Sequence, residues 1–151
     1  MNSSCGICQV HADSTQRREL EIVRSDHWVL RHHQAPAPLL GWLLLDTVRH
    51  CSGPVDFEPD EAHSWGSVVQ QSSQLIRSLT GCDRVYAIAF GEGAQHLHLH
   101  LIPRFIADQD TSAWSVADHY RAVSQGDRPA AAHDQVLEFV QRARDCDWLS
   151  L

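Results

Sequence analysis

The alternation of polar and apolar positions is strictest at residues 96–102, which read His-Leu-His-Leu-His-Leu-Ile. In an extended strand, successive side chains point to opposite faces. The pattern therefore predicts a strand with His96, His98 and His100 on one face and the intervening leucines on the other. The leucine face fits a buried core, and the histidine face presents three imidazoles in a row for chemistry.

Three segments before the middle of the chain also have the length and composition of strands. Residues 19–23 and 28–30 are rich in β-forming side chains on either side of Ser25-Asp26, which predicts a hairpin. Residues 41–45 form a short apolar run that continues toward residue 48, as expected for a buried strand.

A fourth strand is predicted at residues 84–90, directly before the histidine-rich strand. Gly91-Glu92-Gly93 follows it, and glycines at this spacing predict a tight connection between the two strands. Because proline has no backbone N–H to donate, we expect Pro103 to end the last strand.

Two helices are predicted from apolar residues that recur at three- and four-residue steps. The first covers about 59–80, because Pro59 and its acidic neighbours suit a first turn and Gly81 suits a helix end. The second covers 131–144, with four residues facing inward: Val136, Leu137, Phe139 and Val140. The order β-β-β-α-β-β-α predicts an α+β fold, with an antiparallel meander sheet of about five strands and two main helices.

Composition narrows the class of protein. The chain has 151 residues, the length of one domain, so we expect residues 1–151 to fold as a single unit. The formal net charge is −7 with histidine neutral, which disfavours a nucleic-acid polymer as partner.

No apolar run approaches the roughly 18 residues of a membrane span, and the N-terminus lacks the apolar segment of a secretion signal. We therefore predict a cytoplasmic protein that does not bind a membrane. Five cysteines, an odd number, favour reduced thiols or metal ligands over a disulfide framework.

The three alternating histidines have several possible explanations. The chain contains eleven histidines, so a chance cluster on a solvated strand face is the simplest. Histidines two residues apart can also bind a metal directly, although no carboxylate partner lies on the same strand. The third explanation is phosphoryl chemistry, because a neutral imidazole is a nucleophile and its neighbour can exchange a proton near neutral pH. We favour the third explanation.

The run His96 to Ile102 matches the signature of the histidine triad family of nucleotide hydrolases and transferases. Pro103-Arg104 after it resembles the ending found in diadenosine-polyphosphate-hydrolase-like members. Gly41 to His50 is similar to the family's strand that ends in a basic residue and a histidine, and Gly91-Glu92-Gly93 is placed like its turn before the triad. The resemblance implies the histidine triad fold and covers roughly residues 5–105, with the usual boundary error of a few residues.

The resemblance implies roles for individual residues. His98 would attack the α-phosphorus of a nucleotide or dinucleotide and form a nucleotidyl-histidine. His100 would hydrogen-bond to the phosphate or the leaving group, where charge develops. Gly93 and the backbone amides up to Gln95 would approach phosphate oxygens, and the side chain of Gln95 would either donate to them or be an ordinary surface amide. The bond cleaved would be a phosphoanhydride or phosphoramidate.

A metal site is implied at the N-terminus. Cys5 and Cys8 have the C-x-x-C spacing of zinc ligands, although a redox pair or a disordered tail has the same spacing. Some family members carry zinc on two such cysteines, on a histidine at the position of His50 and on the first histidine of the triad, His96. Four protein ligands would make the zinc structural.

The chain also departs from the family pattern. Many members have an acidic residue that binds the ribose hydroxyls where this chain has Gln34, so Gln34 and the adjacent His33 become the candidates for that part of the substrate. Arg31, His32 and His33 are expected to add positive charge beside the nucleotide. The alternative function is therefore a zinc-stabilised nucleotide-binding or regulatory module with slow or incidental turnover. The family resemblance also suggests a homodimer, with helix 59–80 and strand 84–90 at the interface.

Overall fold

The computed structural model describes residues 4–146, and its centre is a five-stranded antiparallel sheet. Its strands are β1 (Glu21–Arg24), β2 (Trp28–His32), β3 (Leu43–Thr47), β4 (Arg84–Ile88) and β5 (His98–Arg104). The spatial order is β1-β2-β3-β5-β4, and every neighbouring pair is antiparallel. The predicted α+β class and five-stranded sheet are confirmed.

The sheet differs from a simple meander because β5 lies between β3 and β4. Helix α3 (Pro59–Thr80) carries the chain from β3 to the edge of the sheet, where β4 begins, and β5 then returns inward. The burial of the two strands accounts for this order. All of β5 after His98 is buried, whereas Arg84 and Ala87 of β4 are exposed and suit an edge.

Helix α3 has the bounds that the sequence predicts. Glu58 and Glu61 form a reciprocal capping box, and Pro59 occupies the first turn. The helix ends at Gly81, which adopts a left-handed φ of 68° that side-chain-bearing residues rarely adopt.

Helices α1 (Gly6–Ala12), α2 (Ser14–Leu20) and α4 (Val116–Gln125) were not expected from the sequence pattern. Asp13 caps α2 by accepting from the backbone N–H groups of Thr15 and Gln16. The predicted strand over residues 19–23 is therefore wrong at its start, because the capped helix continues through Leu20.

Helix α5 (His133–Arg144) agrees with the predicted second helix. Val136, Phe139 and Val140 are buried as expected, and Ala143 joins them. Leu137 is 36% exposed, so its predicted inward position is wrong. It lies one residue after Val136, and successive helical residues point in different directions.

Two predictions about β5 are wrong. The strand does not end at Pro103 but continues to Arg104. Pairing with β3 stops at Leu101, so Pro103 pairs only with β4 and its missing N–H breaks no hydrogen bond to β3. The connection from β4 is also longer than a tight turn, because His96 and Leu97 lie before the strand.

The two faces of the sheet differ as the alternation predicts. Leu97, Leu99 and Leu101 are buried in the main core with Leu75 of α3 and Phe139 of α5. The opposite face carries the histidines. Within residues 4–146, no helix is both long and apolar enough to cross a membrane.

Candidate functional site

A cavity of about 530 Å³ lies over the histidine face of the sheet. Its lining comes from β2, β3 and β5, from helices α1 and α4, and from the connection before β5. Five of the predicted site residues line it: His98, His100, Gly93, His33 and Gln34. Gln95 is exposed and is not part of the lining, so its contact with substrate stays a prediction. His96 is buried beside the cavity at 1% exposure.

His98 is held by a backbone carbonyl. Its Nδ1 lies 2.6 Å from the carbonyl oxygen of His96, so Nδ1–H donates to that oxygen. In a neutral imidazole the other nitrogen then carries the lone pair. His98 also lines the cavity.

His100 is held in the opposite tautomer. The indole N–H of Trp42 donates to Nδ1 of His100 at 3.0 Å, which leaves the proton on Nε2. Burial, together with the nearby His98, His33 and Arg31, lowers the pKa of His100 to about 3. The ring is therefore neutral at physiological pH and offers one N–H donor. The rings of His98 and His100 are 5.3 Å apart.

The expected positive charge of His32 and His33 is wrong. Burial lowers the pKa of both side chains to about 4, so both are neutral at physiological pH. His32 is fully buried away from the cavity lining, where it donates from Nδ1 to the carbonyl of His33 and accepts at Nε2 from the N–H of Gly41. Both of its nitrogens are used structurally.

We expect acid to destabilise the fold through His32. Its pKa is about 4 in the folded protein against an ordinary 6.5, so between these values the unfolded chain binds a proton that the native protein does not. Stability is therefore lost as pH falls from 6.5 toward 4, by about 3 kcal/mol for this one histidine. An NMR titration of the His32 ring should show a midpoint near 4, moving to about 6.5 in denaturing urea. A native midpoint near 6 would contradict the assignment.

Four predicted metal ligands come together at the start of α1. One ligand atom each from Cys5, Cys8, His50 and His96 lies within 4.8 Å of all the others. Nδ1 of His96 is 3.6 Å from Sγ of Cys5 and 3.5 Å from Sγ of Cys8, and Nδ1 of His50 is 3.5 Å from Sγ of Cys8. Sulfur and nitrogen ligands of a tetrahedral zinc are separated by about 3.6 Å. The cluster therefore fits such an ion.

The ring of His96 is also oriented as a ligand. Its Nε2 lies 2.8 Å from the carbonyl oxygen of Thr47 and donates to it, which leaves the lone pair on Nδ1 toward the two cysteines. The triad histidines consequently face different partners. Within residues 4–146, His96 is the one triad histidine in such a cluster, so a metal held by all three is not supported.

A buried ion pair beside the cavity was not expected. Arg31 Nε donates to Oδ2 of Asp46 at 2.6 Å, and Nε2 of His11 donates to the same oxygen at 2.9 Å. Burial raises the pKa of Asp46, but Arg31 and His11 outweigh that effect and hold it below its usual value. The sequence carried one signal for this network, since Asp46 ends an apolar run in a central strand, where a charge needs a partner.

Comparison with known proteins identifies the fold. No protein-family model matches the chain, and no curated protein matches it. A zinc-bound histidine triad family protein from Mycobacterium smegmatis superposes with a TM-score of 0.66 at 16% identity, covering 93% of each chain. A histidine triad protein from Bradyrhizobium japonicum gives 0.64 at 21% identity, covering 90% of this chain and 96% of that one.

A Hit-like protein from Bartonella henselae, involved in cell-cycle regulation, gives a TM-score of 0.61 at 13% identity over 83% of this chain and 84% of that one. Similarity at these identities is similarity of fold. The predicted resemblance to histidine triad proteins is therefore confirmed as a shared fold.

Proposed function

We propose that this chain, which has the histidine triad fold, is a nucleotide hydrolase or nucleotidyl transferase that uses His98 as its nucleophile. The observation that carries the proposal is the complementary pair of tautomers on β5. His98 donates from Nδ1 to a carbonyl and keeps a lone pair on Nε2, while His100 accepts at Nδ1 and keeps a proton on Nε2. One ring can attack phosphorus, and the other can stabilise charge on the phosphate oxygens.

The proposed reaction has two steps. Nε2 of His98 forms a bond to the α-phosphorus of a nucleotide as the phosphoanhydride or phosphoramidate bond breaks, and the leaving group departs with the electron pair of that bond. Water or another acceptor then attacks the same phosphorus and returns the electron pair to Nε2. In hydrolysis, the proton that water loses balances the proton that the leaving group gains.

Turnover of two classes of substrate by the purified protein tests the proposed activity. We expect the wild-type protein to turn over a dinucleoside polyphosphate or an adenosine phosphoramidate, with a nucleoside monophosphate as product. Tight binding of these nucleotides without turnover would instead support the alternative, a nucleotide-binding or regulatory module. The absence of both binding and turnover would contradict both functions.

The proposal includes one zinc ion held by Cys5, Cys8, His50 and His96. Four protein ligands leave no open coordination position, so the ion would act as a structural cross-link. Because His96 supplies the carbonyl that fixes the ring of His98, the same cross-link would help to orient the nucleophile.

We also propose, from the family resemblance, a cytoplasmic homodimer that uses the edge strand β4 together with α3. Light scattering measures the mass of the protein in solution and therefore distinguishes a dimer from a monomer.

Trp42 is expected to act through His100. Replacing Trp42 with phenylalanine removes the indole N–H, so Nδ1 of His100 loses its donor and the tautomer is no longer fixed. We expect kcat to fall about tenfold, with a smaller change in KM, since the lost effect is on charge that develops in the transition state.

The ring ¹⁵N shifts of His100 distinguish this role from simple packing. They should show the Nε2–H tautomer in the wild type and a mixture in Trp42→Phe. Trp42→His offers a ring donor in the same place and is expected to recover part of kcat. An unchanged tautomer in Trp42→Phe would contradict the role.

A further inference from the structure

Arg31 lies on the cavity floor and has no part in the proposed reaction. It pairs with Leu44 across β2 and β3, and Leu44 pairs with His100 across β3 and β5. Directly opposed residues of an antiparallel sheet share a face. Arg31, Leu44 and His100 therefore form one row, and all three line the cavity.

The guanidinium group of Arg31 is buried and only partly paired. The residue is 3% exposed, and its Nε donates to Oδ2 of Asp46. Among residues 4–146, neither Nη1 nor Nη2 has a hydrogen-bond partner; Nη1 is fully buried, as is the unpartnered Oδ1 of Asp46, whereas Nη2 keeps accessible surface. A guanidinium is a donor with no acceptor capacity, and a buried donor without an acceptor is unfavourable.

The charge of the cavity lining points to the same group. Its formally charged residues are Arg31, Glu92 and Arg121, and of these Arg31 is the buried one. His33 and His100 are neutral because burial lowers the pKa of each. A nucleotide that fills the cavity would therefore meet one buried cationic donor, fixed in place by Asp46.

We propose that Arg31 binds the substrate directly, by donating from the accessible Nη2 of its guanidinium to an acceptor oxygen of the nucleotide. This inference rests on the proposed function, since it names a further contact of the same site. Two oxygens have suitable chemistry: a non-bridging oxygen of the phosphate and a carbonyl oxygen of a base such as guanine. Both accept well from a guanidinium, and the experiment separates them.

The test uses Arg31→Lys, because lysine keeps the positive charge beside Asp46 but has one nitrogen where arginine has a fork. Calorimetry would measure binding of GMP, AMP, guanosine and adenosine, which contain no bond for the enzyme to cleave. We expect a loss of about tenfold or more in affinity, the usual effect of one charge-assisted hydrogen bond. If the acceptor is the phosphate, GMP and AMP both weaken while the nucleosides do not. If it is the base carbonyl, GMP and guanosine weaken while AMP and adenosine do not.

Two further variants keep the result interpretable. Arg24→Lys changes an arginine that also pairs with a carboxylate, Glu21, outside the cavity, and should bind as the wild type does. Arg31→Met with Asp46→Leu removes the buried pair without leaving a lone charge, and should show the same loss if Arg31→Lys does not fold.

Wild-type affinity for all four ligands in both Arg31 variants would overturn the inference and leave the proposed function intact. An equal loss for all four ligands, nucleosides included, would also overturn it, since that result indicates a distorted cavity. A wild-type protein that binds none of the four ligands would overturn the inference and the proposed function together.

Discussion

Replacing His98 with alanine is expected to lower kcat for nucleotide turnover by about a thousandfold or more, which corresponds to about 4 kcal/mol in the activation barrier. The variant loses the lone pair on Nε2 that would form the bond to phosphorus. Binding should change much less, because the cavity walls, Arg31 and the N–H of His100 all stay in place. The measurements are steady-state turnover and calorimetric affinity for the product monophosphate.

The covalent intermediate gives a second measurement of the same claim. Rapid quenching at alkaline pH followed by peptide mass spectrometry should find a nucleotidyl group on the peptide that contains His98 and none in His98→Ala. His63→Ala is the matched control, because His63 is exposed on α3 and contacts the carbonyl of Pro59 away from the cavity. Equal turnover in wild type and His98→Ala would rule out His98 as the nucleophile.

The local features of the fold could be predicted from the sequence, because their causes are local. The alternation over residues 96–102 correctly separates a leucine face from a histidine face, as the burial of Leu99 and Leu101 shows. Pro59 and Gly81 correctly predict the two ends of α3, because each residue acts within one turn of its own position.

Features that depend on distant contacts could not be predicted in this way. Helix α1 has seven residues and no side-chain cap, so its own sequence gives little signal and tertiary contacts hold it. The hydrogen bond from the indole of Trp42 to the ring of His100 joins residues that are 58 positions apart in the sequence. The resemblance suggested what His98 and His100 do, but the contacts that set their tautomers emerge only in the folded chain.

The cavity also shows why charge could not be inferred from residue type alone. His32 and His33 are adjacent in sequence to Arg31 and were expected to act with it as a basic group. Burial keeps both histidines neutral, so Arg31 carries the charge and pairs with Asp46 on the neighbouring strand. Whether an imidazole is charged depends on how far the fold removes it from water, and the sequence around a histidine does not reveal that burial.

Removing the zinc ligands is expected to have the largest effect on stability. The proposed ion would join Cys5, which precedes α1, and Cys8 of α1 to His50 after β3 and His96 before β5. In the double variant Cys5→Ser/Cys8→Ser we expect zinc content to fall from about one per chain to near zero. A loss of about 4 kcal/mol in the free energy of unfolding would lower Tm by roughly 10 °C for a chain of this size.

The same change should also weaken nucleotide binding, because α1 would hold the proposed ion and also forms a wall of the cavity. Ile7 and Val10 line the cavity from α1, and His11 reaches Asp46 from its last turn. A chelator should lower Tm and nucleotide affinity in the wild type toward the values of the double variant, and should leave the variant itself unchanged. Cys146→Ser is the matched control, because Cys146 lies outside the cluster and its loss should leave the zinc content intact. Retention of zinc in the double variant would contradict the four-ligand site, whereas loss of zinc with unchanged nucleotide affinity would show that α1 keeps its place without the ion.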